Sequence, residues 1–203
     1  MKSNPFVSIS DLMAGVTAAV MLLLVVAVVQ SASIQADHEA KKRKGIENAI
    51  AEIKESISSN TEGIVVSDSV ITLADYSFER GSACLNGSVE SVLKNTIAPI
   101  LERKLKEYPN ISIQIEGHSD AAAVQKPNTN LSKSCALFDD NYSLSAGRAR
   151  EARKAVLNGV QGDASISRRI AVVGFGPDRL INTKRPMAAE NRRVEIRLIS
   201  GGI

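Results

Sequence analysis

The chain has 203 residues, 44% of them hydrophobic and 23% charged, with a formal net charge of +3. That length holds one compact domain beside a membrane span and little more, and so small a charge gives nucleic-acid binding no electrostatic support. With no Trp, three Tyr and four Phe, a platform for stacking bases is excluded as well.

Asn4-Pro5 places a proline at a first helical position. The run Leu12 to Val29 then carries no charge and a single hydroxyl, Thr17. As a helix it rises about 27 Å, close to the roughly 30 Å hydrocarbon core of a bilayer. We read residues 1–10 as a short tail and 11–33 as a retained transmembrane helix. The rival is a cleavable signal peptide with Ser31-Ala32-Ser33 as its small-residue site. Against it, only Lys2 supplies a basic side chain ahead of the run. The run is also longer than the usual signal core of about 7–15 residues. Asp11 stands at the threshold of the run. An ionisable group inside a span costs on the order of 2.5–3.5 kcal/mol, so it marks an ion path or a buried partner. The alternative is a helix N-terminal residue in the headgroup region, favoured by the helix dipole. Orientation carries a conflict. Lys41-Lys42-Arg43-Lys44 asks for a cytoplasmic position by the positive-inside rule, whereas the domain downstream asks for the opposite side.

Residues 34–62 read as a helical linker. Ile46, Ile50, Ile53 and Ile57 form one narrow apolar stripe, which fits a short parallel coiled coil or a helix folded back on the domain; the coiled coil is favoured. Residues 63–203 then form the domain. Ile64–Val66 and Val70–Leu73 predict a hairpin or bulged strand. Asn86 can cap a helix to about Lys106, which Pro99 should kink or divide. Ile111 to Glu116 alternates as a strand with one buried face. A long loop from Ala121 to Asn141, a helix from Ser143 to Leu157, and strands at Ile170–Val173 and Val194–Ile199 complete the order. This βαβαβ order with an edge hairpin predicts an α/β (α+β) sandwich, helices packed on a mixed sheet. Cys84 and Cys135 are the only cysteines. In an oxidising compartment they can form a disulfide; in the cytoplasm they read as two unrelated core residues. With only His38 and His118 to complete a site, zinc is not expected.

Gly117-His118-Ser119-Asp120 comes directly off a strand. Asn141-Tyr142-Ser143-Leu144-Ser145-Ala146-Gly147-Arg148-Ala149 follows, then Gly174-Phe175-Gly176 and Asn191-Arg192-Arg193-Val194-Glu195-Ile196. In this order the four strings closely resemble the OmpA-like peptidoglycan-binding domain, also present at the C-terminus of MotB, over about residues 63–199. Asp120 and Arg148 match that family's ligand-binding pair. The resemblance implies that Asp120 takes the ammonium, and Arg148 the carboxylate, of diaminopimelate in a wall stem peptide. The chemistry stands on its own: a zwitterion needs a fixed anion beside a fixed guanidinium, whose planar fork binds a carboxylate bidentately. The bland alternative is a mutual Asp120–Arg148 salt bridge, worth little when exposed; a ligand inserting between the two reconciles both. Asn141 and Leu144 match the family's Asn before Leu-Ser, where the Asn holds the loop through side-chain to backbone bonds. Of Arg192 and Arg193, one lines the groove and the other faces solvent. His118 reads as a structural loop residue, and Gly174 and Gly176 as backbone requirements rather than a phosphate site. No nucleophile–base pair stands out, so no enzyme is expected.

Ser8-Ile9-Ser10-Asp11-Leu12-Met13-Ala14 resembles the segment that opens the transmembrane helix of MotB-like stator subunits. That resemblance implies Asp11 as the carrier of H+ (or Na+), with no cofactor, and a homodimer inside a ring of MotA-like or ZorA-like polytopic subunits. It also implies an inner-membrane, single-pass chain with its N-terminus cytoplasmic and its domain periplasmic. The short tail, the lack of a plug helix and the insertion holding Pro127 and Cys135 resemble the B component of Zorya antiphage systems more than flagellar MotB. A Cys84–Cys135 bridge would pin that insertion beside the site. The competing class is a passive OmpA-like wall anchor without ion flow.

Overall fold

The computed structural model describes residues 5–57, 62–67, 69–161 and 164–200, without the side chains of residues 5–9 and 11. The side chain of Asp11, the tail before Pro5 and the break at Ser58-Ser59-Asn60 therefore lie outside the described residues. The chain divides into two units, residues 1–41 and 42–203.

Helix α1 runs Pro5–Ser56. In the first unit its residues Leu12 to Val29 are exposed throughout, and this is a helix long and apolar enough to cross a membrane. From Lys42 onward the same helix belongs to the second unit. There the isoleucine stripe is not free for a coiled coil. Ala49, Ile50 and Ile53 are buried in the domain core, with Ile46 and Ile57 half-buried against it. The narrow stripe suffices because one side only has to be covered. Gly45 lets the Tyr108 ring lie against the backbone, where a Cβ would come within 2.9 Å of it. Glu52 adds ion pairs to Arg103 and, at 3.9 Å, to Lys104.

The sheet has five strands in the order β1-β2-β5-β3-β4. The hairpin β1 (Ile64–Ser67) and β2 (Val70–Leu73) forms the edge expected from its β-branched runs. β2 pairs antiparallel with β5 (Arg193–Ser200), which pairs antiparallel with β3 (Ile111–His118). β3 also pairs with β4 (Ile170–Gly174), the one parallel pairing among the described strands. The alternation of β3 and β5 points Ile111, Ile113 and Ile115 and Val194, Ile196 and Leu198 into the core. The reading of β3 as buried on one face needs correction: Ser112, Glu116 and His118 are buried too. The second face is closed by its own charges. Arg197 Nε lies 3.2 Å from Glu116, and Arg193 Nε lies 2.5 Å from Glu195. These pairs offset the like charges that register places opposite each other, Glu116 and Glu195.

The helix expected from Asn86 is divided as Pro99 requires: α2 (Gly87–Val92), a π-turn (Leu93–Ile97) and α3 (Ala98–Glu107). Pro99 has no N–H for the preceding turn and its ring crowds the carbonyl there, so a widened turn absorbs it. Asn86 sits at the cap position but donates its amide to the Tyr76 carbonyl instead of capping. After β3 come the short α4 (Leu131–Ser134), α5 (Asn141–Gly159) and α6 (Ala164–Ser167). Asp140 opens α5 with a capping box: its carboxylate accepts from the Ser143 amide at 2.7 Å and Ser143 Oγ accepts from the Asp140 amide at 3.1 Å.

Candidate functional site

Register builds the site. Leu73 pairs with Val194, and Gly117 pairs with the same Val194 from the other side. Two residues beyond those pairs, the chain leaving β2 and the chain leaving β3 flank the start of β5. Arg192 therefore lies between Asp75 and the Ser119-Asp120 turn. Its Nη1 donates to Asp120 Oδ2 at 2.6 Å and its Nη2 to Asp75 Oδ2 at 2.7 Å. The Asp75 bond first, then Asp120, raises the Arg192 pKa further above its ordinary value.

Helix α5 delivers Arg148 to the same place. It can do so because α5 lies almost on the sheet: a Cβ on Gly117 would sit 1.9 Å from the Ser145 carbonyl, and one on Gly174 would sit 2.7 Å from Ala146 Cβ. Gly176 has φ +53°, a conformation that glycine adopts without strain, and its amide donates to Ser145 Oγ at 3.0 Å. Arg148 is buried. Its Nε donates to the Ser82 carbonyl at 3.0 Å, its Nη1 lies 3.4 Å from Asp75 Oδ1, and the Phe78 ring centroid is 5.0 Å from Cζ. Burial lowers its pKa and the Asp75 charge raises it, with burial the larger effect. Arg148 Nη2 has no hydrogen-bond partner among the described residues.

The Asp120–Arg148 salt bridge, the bland alternative for these two residues, is absent among the described residues. Arg192 pairs with Asp120 instead, and Asp75 links the two arginines. Two carboxylates and two guanidiniums thus line one patch. A cleft of about 570 Å³ opens on Asp75, Phe78, Leu144, Arg148 and Arg192, within the roughly 300–1,000 Å³ of ligand clefts. Asp120 Oδ1 also accepts from the Ala122 amide at 3.1 Å. Asn141 Nδ2 donates to the Asp120 and Ala122 carbonyls at 3.3 and 2.8 Å, the side-chain to backbone bonds that fix this loop.

The sequence matches the OmpA family over residues 77–193. The chain belongs to the OmpA family. Outer membrane protein Omp38 of Acinetobacter baumannii is 34% identical over 109 residues, 53% of this chain and 26% of that protein. The chain thus spans about a quarter of that curated relative. A putative MotB-like protein from Desulfovibrio vulgaris shares the fold with TM-score 0.55 and 20% identity, over 82% of this chain and 99% of that one. The periplasmic domain of Helicobacter pylori MotB aligns with TM-score 0.47 and 19% identity, over 70% and 85% of the two chains.

In this OmpA-family domain Cys84 and Cys135 form a disulfide, with Cα atoms 5.1 Å apart. It ties the insertion to the Gly81–Ser82 turn that receives Arg148. Arg193, expected to face solvent, is buried: its Nη1 donates to the Arg179 carbonyl at 3.3 Å in addition to its bond to Glu195. His118 is the last residue of β3 rather than a loop residue. It stacks on Phe175 with centroids 5.5 Å apart, and neither ring nitrogen has a hydrogen-bond partner among the described residues. Burial first, then Arg193, lowers its pKa to about 4. Glu116, His118 and Glu195 offer ligand atoms within 4.8 Å of one another. Each carboxylate oxygen there already accepts from Arg193, Arg197 or Gln114, so a cation would have to displace guanidinium groups. Asp75, Phe78 and Ser82 were missing from the sequence reading. No motif carries them; only the pairing of β2 beside β5 could have pointed to Asp75.

Proposed function

We propose that this chain is the peptidoglycan-anchored B subunit of an ion-driven inner-membrane motor of the MotA–MotB stator type. The observation that carries the wall-binding part is the cleft of Asp75, Asp120, Arg148 and Arg192. It sets two carboxylates among guanidiniums, with the exposed Arg80 also on its lining, and it holds a guanidinium fork beside a carboxylate. A free diaminopimelate end fits that chemistry. Its carboxylate would replace Asp75 on the loosely held Nη1 of Arg148 and use the free Nη2, while its ammonium would take the remaining acceptor capacity of Asp120. Asn141 would hold the turn and Leu144 would supply the apolar wall. Family membership supports an anchoring rather than a catalytic role.

The motor part is supported by Asp11 ahead of the apolar run, in a string that resembles stator helices. On this reading a homodimer stands inside a ring of MotA-like subunits, and protonation and deprotonation of Asp11 couple ion flow to rotation. A membrane potential provides about 2.3 kcal/mol per elementary charge per 100 mV, enough for repeated mechanical steps. On this reading the domain is periplasmic and the N-terminus cytoplasmic. The disulfide supports that side, since such bonds persist in oxidising compartments. It outweighs the basic cluster at Lys41–Lys44, which lies well past the span. The finer assignment is a Zorya-type antiphage motor, supported by the disulfide-held insertion; a flagellar stator is its nearest rival. A passive wall anchor is favoured by one fact, that the family match lies wholly within the domain.

Co-sedimentation of the full chain, in detergent micelles, with purified sacculi tests the wall site. The wild type is expected to pellet. Arg148→Lys, which keeps the charge and loses the fork, and Asp120→Asn should each weaken binding about ten- to a hundred-fold, the range for charged hydrogen bonds. Undiminished pelleting of both variants at unchanged melting temperature overturns the assignment.

A further inference from the structure

A second cleft, of about 400 Å³, adjoins the first and shares Gly81 and Leu144 with it. Ala122, Val124 and Phe138 add apolar wall, and Asp120 and Lys126 are its charged members. Most of this lining comes from the insertion between Asp120 and Asn141. The insertion is a built element rather than a slack loop. The Asn128 and Phe138 backbones exchange hydrogen bonds of 2.7 and 3.1 Å, and Asn128 Nδ2 donates to the Ala136 carbonyl at 2.7 Å. Asn130 caps α4 by accepting from the Ser132 amide at 3.1 Å, and Cys135 is bridged to Cys84. Among the described residues no carboxylate lies in ion-pair contact with Lys126, which is exposed.

The cleft therefore offers one carboxylate shared with the zwitterion site, a small apolar wall and an unpaired ammonium. Its complement is a short extension from a bound ammonium-bearing residue, with a small aliphatic side chain and a terminal carboxylate. We propose that this cleft is a subsite for the free D-alanyl end of an uncrosslinked stem peptide, the residue that follows diaminopimelate. The methyl group packs on Val124, Phe138 and Leu144, and Lys126 Nζ donates to the terminal carboxylate. When that carboxyl is amide-linked in a crosslink its charge is gone, so the subsite selects wall regions with unlinked ends. This inference rests on the wall-binding reading of the first cleft.

The test is calorimetric titration of the full chain, in detergent micelles, with three synthetic stem peptides: a tetrapeptide ending in D-alanine, its C-terminal amide, and a tripeptide amide ending at diaminopimelate. The free tetrapeptide is expected to bind roughly five- to twenty-fold tighter than the tripeptide amide, from one buried methyl and one ion pair. The tetrapeptide amide should fall between them. Lys126→Met, at an exposed position where folding is not at risk, should remove the acid-over-amide preference and leave the tripeptide amide unchanged. Equal affinities of the three peptides, or a preference that survives Lys126→Met, overturn the subsite while the first cleft stands. Failure of all three peptides to bind overturns the wall-binding reading and the subsite with it.

Discussion

His118 is a buried imidazole with no hydrogen-bond partner among the described residues, ringed by Arg193, Arg179 and Arg197 and by the carboxylates of Glu116 and Glu195. Its folded pKa of about 4 lies below the 6.5 of an unperturbed histidine. The folded state therefore binds fewer protons than the unfolded chain in the window between those values. Stability from keeping His118 neutral is complete above pH 6.5 and is lost as pH falls from 6.5 to about 4. The loss is on the order of 3 kcal/mol by linkage. Urea unfolding at pH 7 and pH 4 should show the wild type losing that much more than His118→Leu, whose replacement does not titrate. Equal losses in the two proteins would mean that the imidazole reaches water or a carboxylate when protonated.

At the scale of elements, α1 from Lys42 onward is a structural part of the domain. Ile53 is wholly buried in the core cluster, and truncating such a residue costs about 2–5 kcal/mol. Ile53→Ala should lower the domain's unfolding free energy by that amount, with a melting temperature independent of protein concentration. A coiled coil built on the same stripe would instead give a concentration-dependent transition. The sequence favours the coiled coil, yet a stripe one residue wide reads the same whether a sister helix or a domain covers it. The strands were legible for the opposite reason. Ile111–Glu116 and Val194–Ile199 alternate at period two, and the register then had few options. Pro99 announced the division of its helix, but not that a π-turn would carry it. The site was half legible. Asp120, Asn141, Leu144, Arg148 and Arg192 stand in motifs, whereas the pairing of Arg192 with Asp75 joins residues 117 positions apart, and no local pattern encodes it. The ion pair that the motif left as an alternative, Asp120 with Arg148, does not form among the described residues. The motif places Asp120 and Arg148 on adjacent elements, but Arg192 at the start of β5 reaches Asp120 first.

For the whole molecule, the decisive distinction is between an anchor and a motor, and the two units of the chain answer separately. On the proposed wall-binding reading the cleft is needed in either case, since a stator must be held still to do work. The span is needed as a mere anchor in one case and as an ion carrier in the other. Asp11→Asn separates them because it keeps the shape and hydrogen-bonding capacity of the side chain while removing its proton exchange. On the motor reading the variant inserts into the membrane, pelleting with sacculi as well as the wild type does. Co-reconstituted with its polytopic partner, it should conduct no ions above the background of empty vesicles. In a strain deleted for the chain it should fail to restore the deletion phenotype. A variant that restores that phenotype fully reduces the span to a tether. Loss of the guanidinium fork in the wall site gives the complementary dissection: Arg148→Lys keeps Asp11 and its ion path but loosens the wall contact. A motor so altered retains conduction and loses torque, whereas a passive anchor loses its only function.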